Sequence, residues 1–161
     1  MATLFLSSPA SAAPQTADNI CVKVYLHDVG WQDQQCGAAG NAVTAGSPGA
    51  GHQVEAMTAT VTGSSLCLMA NMQGSGWDPS WSCAGDGQSV TIGKAGQGLR
   101  LEAVQFGVQS GVICGNSFVT GVGWNPNWYC GVDGGTNSIG TTGQDQPMEA
   151  VGFEICRPEG C

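Results

Sequence analysis

The chain repeats itself three times with a period of 46 or 47 residues, and this constrains its fold more than any other feature. A Gly-Trp pair recurs as Gly30-Trp31, Gly76-Trp77 and Gly123-Trp124, and a Glu-Ala pair, a glycine pair and a cysteine pair recur in the same register. Several independent features at one fixed spacing are typical of repeat proteins. We therefore expect three copies of one structural unit. The copies extend over about 20–61, 66–108 and 112–156.

The cysteines follow the same register. Cys21, Cys67 and Cys114 begin the copies, and a second cysteine follows 15 or 16 residues later in each. Although eight cysteines allow 105 pairings, the threefold register selects one pair within each copy and leaves one pair at the C-terminus. The predicted disulfides are Cys21–Cys36, Cys67–Cys83, Cys114–Cys130 and Cys156–Cys161.

Zinc binding is the competing interpretation of paired cysteines. However, the sequence has no C-x-x-C spacing, and both histidines, His27 and His52, lie in the first copy. We therefore expect no metal site.

Each copy has the pattern of short β-strands. Residues 21–26 and 102–108 are rich in β-branched and aromatic residues, whereas Asp86-Gly87 and Asp133-Gly134 are typical turn dipeptides. We expect three or four short antiparallel strands in each copy, too few to bury their own apolar face, so the copies must share one core. The sequence predicts a single all-β, pseudo-threefold, disulfide-stapled domain over 20–161. We favour a β-prism of three sheets, with a β-trefoil as the alternative.

The N-terminal residues differ from the repeats. The apolar run Leu4-Phe5-Leu6 is followed by Ala10-Ser11-Ala12, which fits the small-x-small pattern of a signal peptidase site. We interpret 1–13 as the remnant of a signal peptide whose leader begins upstream of Met1, and 14–19 as a flexible arm. Export agrees with the predicted disulfides, because disulfides persist outside the cytosol. We expect a secreted, extracellular protein.

Charge and the length of the apolar runs exclude two classes of partner. Four Lys and Arg residues against twelve Asp and Glu residues give a net charge of −8. Such a chain has few cations to neutralise a phosphate backbone, so we expect no nucleic-acid partner. No apolar run reaches the 18 or more residues of a spanning helix, and we expect no membrane insertion.

Three of the repeated elements resemble a known family. In the third copy, Gly123-Trp124 precedes Gly140-Thr141-Thr142-Gly143-Gln144 and Met148-Glu149-Ala150-Val151. The second copy has Gly76-Trp77, then 93–97 and 99–103, in the same order. This pattern, over 20–156, resembles the clostridial hydrophobic repeat with a conserved tryptophan (ChW-type), here as a secreted, actinobacterial-like variant with added disulfides. The first copy departs from it at 47–50 and at Gln53-Val54. The resemblance implies a secreted, non-catalytic binding protein without a defined ligand.

Five tryptophans are the candidate ligand-binding residues. Trp31, Trp77 and Trp124 follow a glycine in every copy, which fits a hairpin-packing role as well as a ligand role. Trp81 and Trp128 lie in the turn-rich segments 78–81 and 125–128, and we align Gln35 with them in the first copy. A flat indole beside Asp or Asn side chains suits a sugar ring, because the indole stacks and the polar groups hold hydroxyls. The candidate site residues are therefore Trp81, Trp128, Asp78, Asn125, Asn127, Trp31, Trp77 and Trp124.

Glu55, Glu102 and Glu149 could suggest a glycosidase, since that chemistry uses paired carboxylates. However, three equivalent glutamates on buried strands are more typical of structural acids, and we expect each to accept from N–H groups of a Gly-x-x-Gly turn. No Gly-x-Ser-x-Gly elbow occurs. We expect no catalytic residue, no enzyme activity and no cofactor.

The leading functional hypothesis is a secreted, lectin-like module that binds a glycan or cell-wall polysaccharide through up to three shallow sites. The alternative is a protein-binding adaptor or structural subunit of an extracellular assembly, such as an antibacterial toxin particle. In that case the partner would bind the N-terminal arm.

Overall fold

The computed structural model describes residues 16–157, 160 and 161. The predicted signal-peptide remnant and residues 14 and 15 lie outside this range. The described residues form fifteen β-strands and no helix, which confirms the all-β class. Accordingly, no helix in this part of the chain is long and apolar enough to cross a membrane. The strands are β1 (Asn19–Leu26), β2 (Gly30–Trp31), β3 (Gln35–Ala38), β4 (Val43–Gly46), β5 (Val54–Thr62), β6 (Leu66–Met72), β7 (Gly76–Trp77), β8 (Ser82–Ala84), β9 (Ser89–Gly93), β10 (Leu101–Val108), β11 (Val112–Val119), β12 (Gly123–Trp124), β13 (Tyr129–Val132), β14 (Asn137–Gly140) and β15 (Met148–Cys156).

The strands form three antiparallel five-stranded sheets of the same order. The first sheet has the order β2-β1-β5-β9, the second β7-β6-β10-β14 and the third β12-β11-β15-β4. In each sheet one further short strand, β3, β8 or β13, pairs with the first long strand. Each copy thus contains five strands rather than three or four, because the Gly-Trp pair and the second cysteine lie on separate short strands.

Each copy gives its fourth strand to the sheet of another copy. β9 of the second copy pairs with β5, β14 of the third copy pairs with β10, and β4 of the first copy pairs with β15. These exchanges form a closed cycle that links all three copies. Three separate sheets with this connectivity agree with the predicted β-prism, whose arrangement in space stays a prediction.

The repeated glycines end the exchanged strands. Gly46, Gly93 and Gly140 have φ angles of 114°, 85° and 90°. A Cβ atom at these positions would lie 2.4, 2.4 and 2.2 Å from the backbone oxygen of a glutamate in the neighbouring long strand. Only glycine allows both this backbone conformation and this close approach. The glutamates are Glu149, Glu55 and Glu102, respectively.

One apolar core is shared by the three copies. In β1 every second side chain, from Ile20 to Leu26, is buried, as the strand period requires. Phe106 of the second copy and Phe153 of the third pack edge to face, with ring centroids 5.3 Å apart. A Cβ at Gly115 would lie 2.8 Å from Phe106, so this glycine makes room for the aromatic pair.

All four predicted disulfides are confirmed. In each copy the two cysteines lie directly opposite each other on antiparallel strands, with Cα atoms 4.0, 4.1 and 4.0 Å apart. Cys156–Cys161, with Cα atoms 4.7 Å apart, closes a short C-terminal loop. The cross-strand disulfides tie the short strands β3, β8 and β13 to their sheets.

Within the described residues, the structure corrects the interpretation of 16–19 as part of a flexible arm. Ala17 is buried and its N–H donates to the backbone oxygen of Ser110 at 3.3 Å. The N–H of Asp18 donates to Thr62 and its backbone oxygen accepts from Ala39. Ala17 and Asp18 are therefore held by the loop after β10, by the end of β5 and by the residue after β3, and β1 already begins at Asn19.

Candidate functional site

All five tryptophans keep a substantial exposed surface. Between 37 and 41% of each residue is accessible. An exposed Trp is uncommon because its large apolar ring gains free energy from burial. Position in the repeat therefore does not decide between a packing role and a ligand role, and the surroundings of each ring must be compared.

The Gly-Trp tryptophans lie at sheet edges on the two-residue strands. Trp31 packs edge to face on Tyr25, with ring centroids 5.6 Å apart, and Lys23 Nζ lies 5.0 Å from the centre of its ring. Trp124 packs in the same way on Phe118 at 5.7 Å. In the first sheet a cation–π contact thus occupies the indole surface.

Trp81 and Trp128 lie immediately before β8 and β13, two residues ahead of a disulfide cysteine. The strand register places Gln34 rather than Gln35 at the equivalent position, because Gln35 pairs with Val22 as Ser82 does with Leu68. The first copy has one residue fewer between its tryptophan and Cys36, which explains the incorrect alignment. The first sheet therefore has Gln34 where the others have tryptophan.

Trp81 lines an open groove of about 430 Å³ on the outer face of the second sheet. The Cys67–Cys83 disulfide and Gly107 also line it. Gly107 pairs with Cys67 and lies against Thr136, so a row of small groups runs across the sheet from β8 towards β14. Because these groups are small, they leave open the space that forms the groove beside Trp81.

The equivalent rows in the other two sheets carry larger side chains. Thr60 is opposite Cys21 in the first sheet, and its hydroxyl lies 2.7 Å from that of Ser89. Glu154 is opposite Cys114 in the third sheet. Gly107 was not among the candidates from the sequence, although its departure from Thr60 and Glu154 was a visible signal.

Three polar side chains line the groove, and none of the described residues that line it carries a charge. These side chains are Ser65, Gln109 and Thr136. The Ser65 hydroxyl donates to Oε1 of Gln109 at 3.0 Å, which fixes the amide and leaves its NH₂ group as a donor. An indole, two hydroxyl groups and an amide thus border a neutral concave surface.

The third sheet has a different aromatic arrangement. A Cβ at Gly152 would lie 3.1 Å from Cη2 of Trp128 and 3.6 Å from Cζ3 of Trp124, so both indoles meet above this glycine. Gln105 occupies the position of Gly152 in the second sheet, and Thr58 occupies it in the first. They pair with Met69 and Lys23, respectively, as Gly152 pairs with Asn116. We call Trp124, Trp128 and Gly152 the aromatic platform.

The polar candidates near the tryptophans mainly shape the turns. Asp78 Oδ2 accepts from the N–H of Ala70 at 3.1 Å. The Asn125 amide donates to the Tyr129 hydroxyl at 3.2 Å and its oxygen accepts from the N–H of Asn127 at 3.1 Å. Asp78 and Asn125 therefore position the tryptophans, whereas the exposed side chain of Asn127 makes no hydrogen bond within the described residues.

The repeated glutamates bind turns, as expected, in two of the three sheets. Glu55 Oε2 accepts from the N–H of Gly96 at 2.7 Å, and Glu149 Oε2 accepts from Gly49 at 2.7 Å. In both cases the turn belongs to the copy that supplies the exchanged strand. The other carboxylate oxygen lies 2.5 Å from Nδ1 of His27 in the first sheet and accepts from the Thr120 hydroxyl at 2.6 Å in the third.

The electrostatics of Glu149 agree with a structural role. Burial raises its pKa, but hydrogen bonds from the Thr120 hydroxyl and from the N–H groups of Gly51, Gly49 and Ala50 lower it below the usual value. An acid held in its ionised form by this turn is poorly suited to donate a proton.

Glu102 departs from this pattern, and the expectation of a turn-bound carboxylate is wrong there. Its Oε1 accepts from Nε of Arg100 at 3.1 Å, and Arg100 also binds Asp145 in the following turn. Gln53 and Pro147 occupy the position of Arg100 in the other copies. An arginine thus replaces the direct glutamate–turn contact of the other two sheets.

Within the described residues, one group of potential metal ligands lies close together, a cluster of three sulfur atoms. The Sγ atoms of Cys114, Cys156 and Cys161 lie within 4.8 Å of one another. All three are in disulfides, which lack the thiolate charge that holds a metal. These residues could take a metal only after reduction.

No protein-family model, no curated protein and no solved structure matches this chain. The resemblance to the ChW-type repeat therefore stays a prediction from the sequence, and the functional argument depends on the geometry of the site.

Proposed function

We propose that this protein is a secreted, non-catalytic binding module for neutral polysaccharides, with the Trp81 groove as its principal site. The observation that carries the proposal is the combination, in one groove, of an exposed indole with Ser65, Gln109 and Thr136.

The groove has the chemistry that a sugar ring requires. The C–H groups of a pyranose form a weakly apolar face that stacks on an indole, while its hydroxyls exchange hydrogen bonds with hydroxyl and amide side chains. The Cys67–Cys83 disulfide and Gly107 give the ring room to approach Trp81. A shallow open groove admits an internal segment of a long chain as well as its end.

Charge favours a neutral ligand. The groove residues are uncharged, and the protein carries a net charge of −8. An anionic polysaccharide would be repelled by the whole molecule and would find no cation in the groove. We therefore expect unmodified glucans, mannans or N-acetylated glycans rather than uronates or teichoic acids.

Four disulfides and the signal-peptide pattern support an extracellular location. The resemblance to the ChW-type repeat, which we propose as the family, agrees with a secreted non-catalytic protein. A cell-surface or cell-wall polysaccharide is then the most accessible ligand.

Native affinity electrophoresis tests the proposal, since the acidic protein migrates readily in gels that contain a soluble polysaccharide. We expect retardation by at least one neutral polysaccharide, such as a β-glucan, a glucomannan or glycol chitin, and none by polygalacturonate. Trp81→Gln should weaken binding about tenfold, because an aromatic stacking contact is worth up to about 1.5 kcal/mol. The substitution copies Gln34 of the first copy and should preserve the fold.

Trp31→Gln is the matched control, because it removes an equally exposed indole from a sheet without a second tryptophan. Its binding should equal that of the wild type. Migration unaffected by every neutral polysaccharide, or equal retardation of Trp81→Gln and wild type, would contradict the proposal.

The adaptor hypothesis has lost its main support. It relied on a flexible arm, whereas Ala17 and Asp18 are held by backbone hydrogen bonds to Ser110, Thr62 and Ala39. A partner could not take up these two residues without breaking those hydrogen bonds. Co-purification of a stoichiometric protein from culture supernatant would restore this alternative.

A further inference from the structure

The third sheet carries a second aromatic surface that differs from the groove. In the aromatic platform, Trp124 and Trp128 both lie above Gly152, while 38% and 41% of the two residues remain exposed. A Cβ at residue 152 would meet Trp128 at 3.1 Å, which is closer than ordinary van der Waals contact. The approach of both indoles to this position therefore depends on the glycine.

Hydrogen bonds fix the turn that joins the two indoles. The Asn116 side chain donates to the backbone oxygen of Asn125 at 2.9 Å, and the Asn125 side chain bridges Tyr129 and Asn127. Trp124 also rests against Phe118. Because the rings are held before a ligand arrives, binding would cost little side-chain entropy.

The first sheet lacks a comparable surface. Gln34 replaces the second tryptophan there, and Lys23 lies over Trp31. The three sheets are thus specialised: the second has a groove, the third has the aromatic platform and the first has neither. The groove is centred on the second sheet and the platform on the third, so we expect a ligand in one to leave the other accessible.

We propose that the aromatic platform is a second polysaccharide site, so that one protein molecule holds two neutral chains and cross-links them. This inference rests on the proposed function of the groove. Two adjacent indoles suit an extended segment of two or more sugar units, whereas the groove borders one indole. The consequence is bridging of polysaccharide, which a single site could not achieve.

The decisive experiment combines binding stoichiometry with bridging. Isothermal titration with a short oligosaccharide of the polysaccharide that retards the protein should give two sites per wild-type chain. Trp81→Gln and Trp128→Gln should each weaken one of the two sites about tenfold and leave the other unchanged, and the double variant should weaken both. Monomeric wild-type protein, checked by light scattering, should co-aggregate two colours of polysaccharide-coated beads, whereas each single variant should need about tenfold more protein to bridge them.

The outcomes separate the two proposals. One site in the wild type, weakened in Trp81→Gln and unchanged in Trp128→Gln, overturns cross-linking and leaves the proposed function intact. Bridging by Trp128→Gln at the wild-type level also overturns cross-linking. No binding of any neutral oligosaccharide removes the proposed function itself.

Discussion

The glycine at the end of an exchanged strand provides the sharpest test of how the three copies are linked. Gly93 of β9 has a φ of 85°, and a Cβ there would lie 2.4 Å from the backbone oxygen of Glu55 and 2.8 Å from Cα of Ala56. Both atoms belong to the backbone of β5, so the clash of a Gly93→Ala variant cannot be relieved by a side-chain rotation.

The cost follows from the structure in two parts. A left-handed conformation costs a non-glycine residue about 1–2 kcal/mol. Overpacking against backbone adds about 1–3 kcal/mol. If β9 moves away instead, the overpacking is relieved but the hydrogen bonds from Lys94 to the Glu55 backbone and from Gly96 to its carboxylate weaken, at a similar cost of about 1 kcal/mol each. We expect Gly93→Ala to lower the free energy of unfolding by about 2–5 kcal/mol.

Gly74→Ala is the matched control. Gly74 has a φ of 79°, but a Cβ there has no atom within 4 Å. This variant should lose only the conformational part, about 1–2 kcal/mol. Urea denaturation with intact disulfides, followed by tryptophan fluorescence, gives both free energies, and equal m-values would show that the same surface unfolds. Equal losses in the two variants would refute the strand-exchange argument.

Three further predictions concern the disulfides and the buried acids. Removal of any one cross-strand disulfide should lower the free energy of unfolding by about 3 kcal/mol, and removal of Cys156–Cys161 by about 2 kcal/mol, since its loop is shorter. Denaturation midpoints that showed the C-terminal disulfide to be the most stabilising would contradict this prediction. Because its folded pKa is lowered, ionised Glu149 stabilises the fold above pH 4.5, and this contribution is lost as the pH falls through the folded pKa. The difference in the free energy of unfolding between wild type and Glu149→Gln should therefore narrow from pH 7 to pH 3. A difference that stayed constant would contradict a stabilising role of the ionised Glu149 carboxylate. Arg100→Met should lower the free energy of unfolding by about 3 kcal/mol, because it leaves buried Glu102 without its cation. Adding Glu102→Gln should recover part of this loss in the same denaturation assay. If nothing were recovered, the broken ion pair would not be the cause of the loss.

The sequence was sufficient for the features that depend on register. A disulfide requires two cysteines at fixed positions, so their repetition identified three pairs before any strand was placed and left Cys156–Cys161 as the fourth. The strand exchange could not be predicted, because the alternation in Val43-Thr44-Ala45 defines which side chains are buried but not which sheet receives the strand. The repeated glycines at 46, 93 and 140 were visible in the sequence, but only the structure identified the neighbouring backbone that they approach.

The candidate site was harder to predict, because it depends on two glycines that stand where the other copies have larger residues. The turn-rich segments correctly indicated exposed tryptophans at Trp81 and Trp128. The groove, however, requires Gly107, and the aromatic platform requires Gly152, neither of which is repeated in the other copies. Asp78 was a candidate because of its neighbours, whereas its carboxylate is used by the backbone of β6.

In the proposed function, a neutral glycan stacks on Trp81 in the groove of the second sheet. The five tryptophans give five indole N–H signals in a ¹H–¹⁵N spectrum, which Trp→Gln variants assign one by one. During titration with the neutral oligosaccharide, the signal of Trp81 should shift to saturation while that of Trp31 stays in place. A titration in which Trp81 does not move, or in which all five signals drift equally without saturating, would contradict the account.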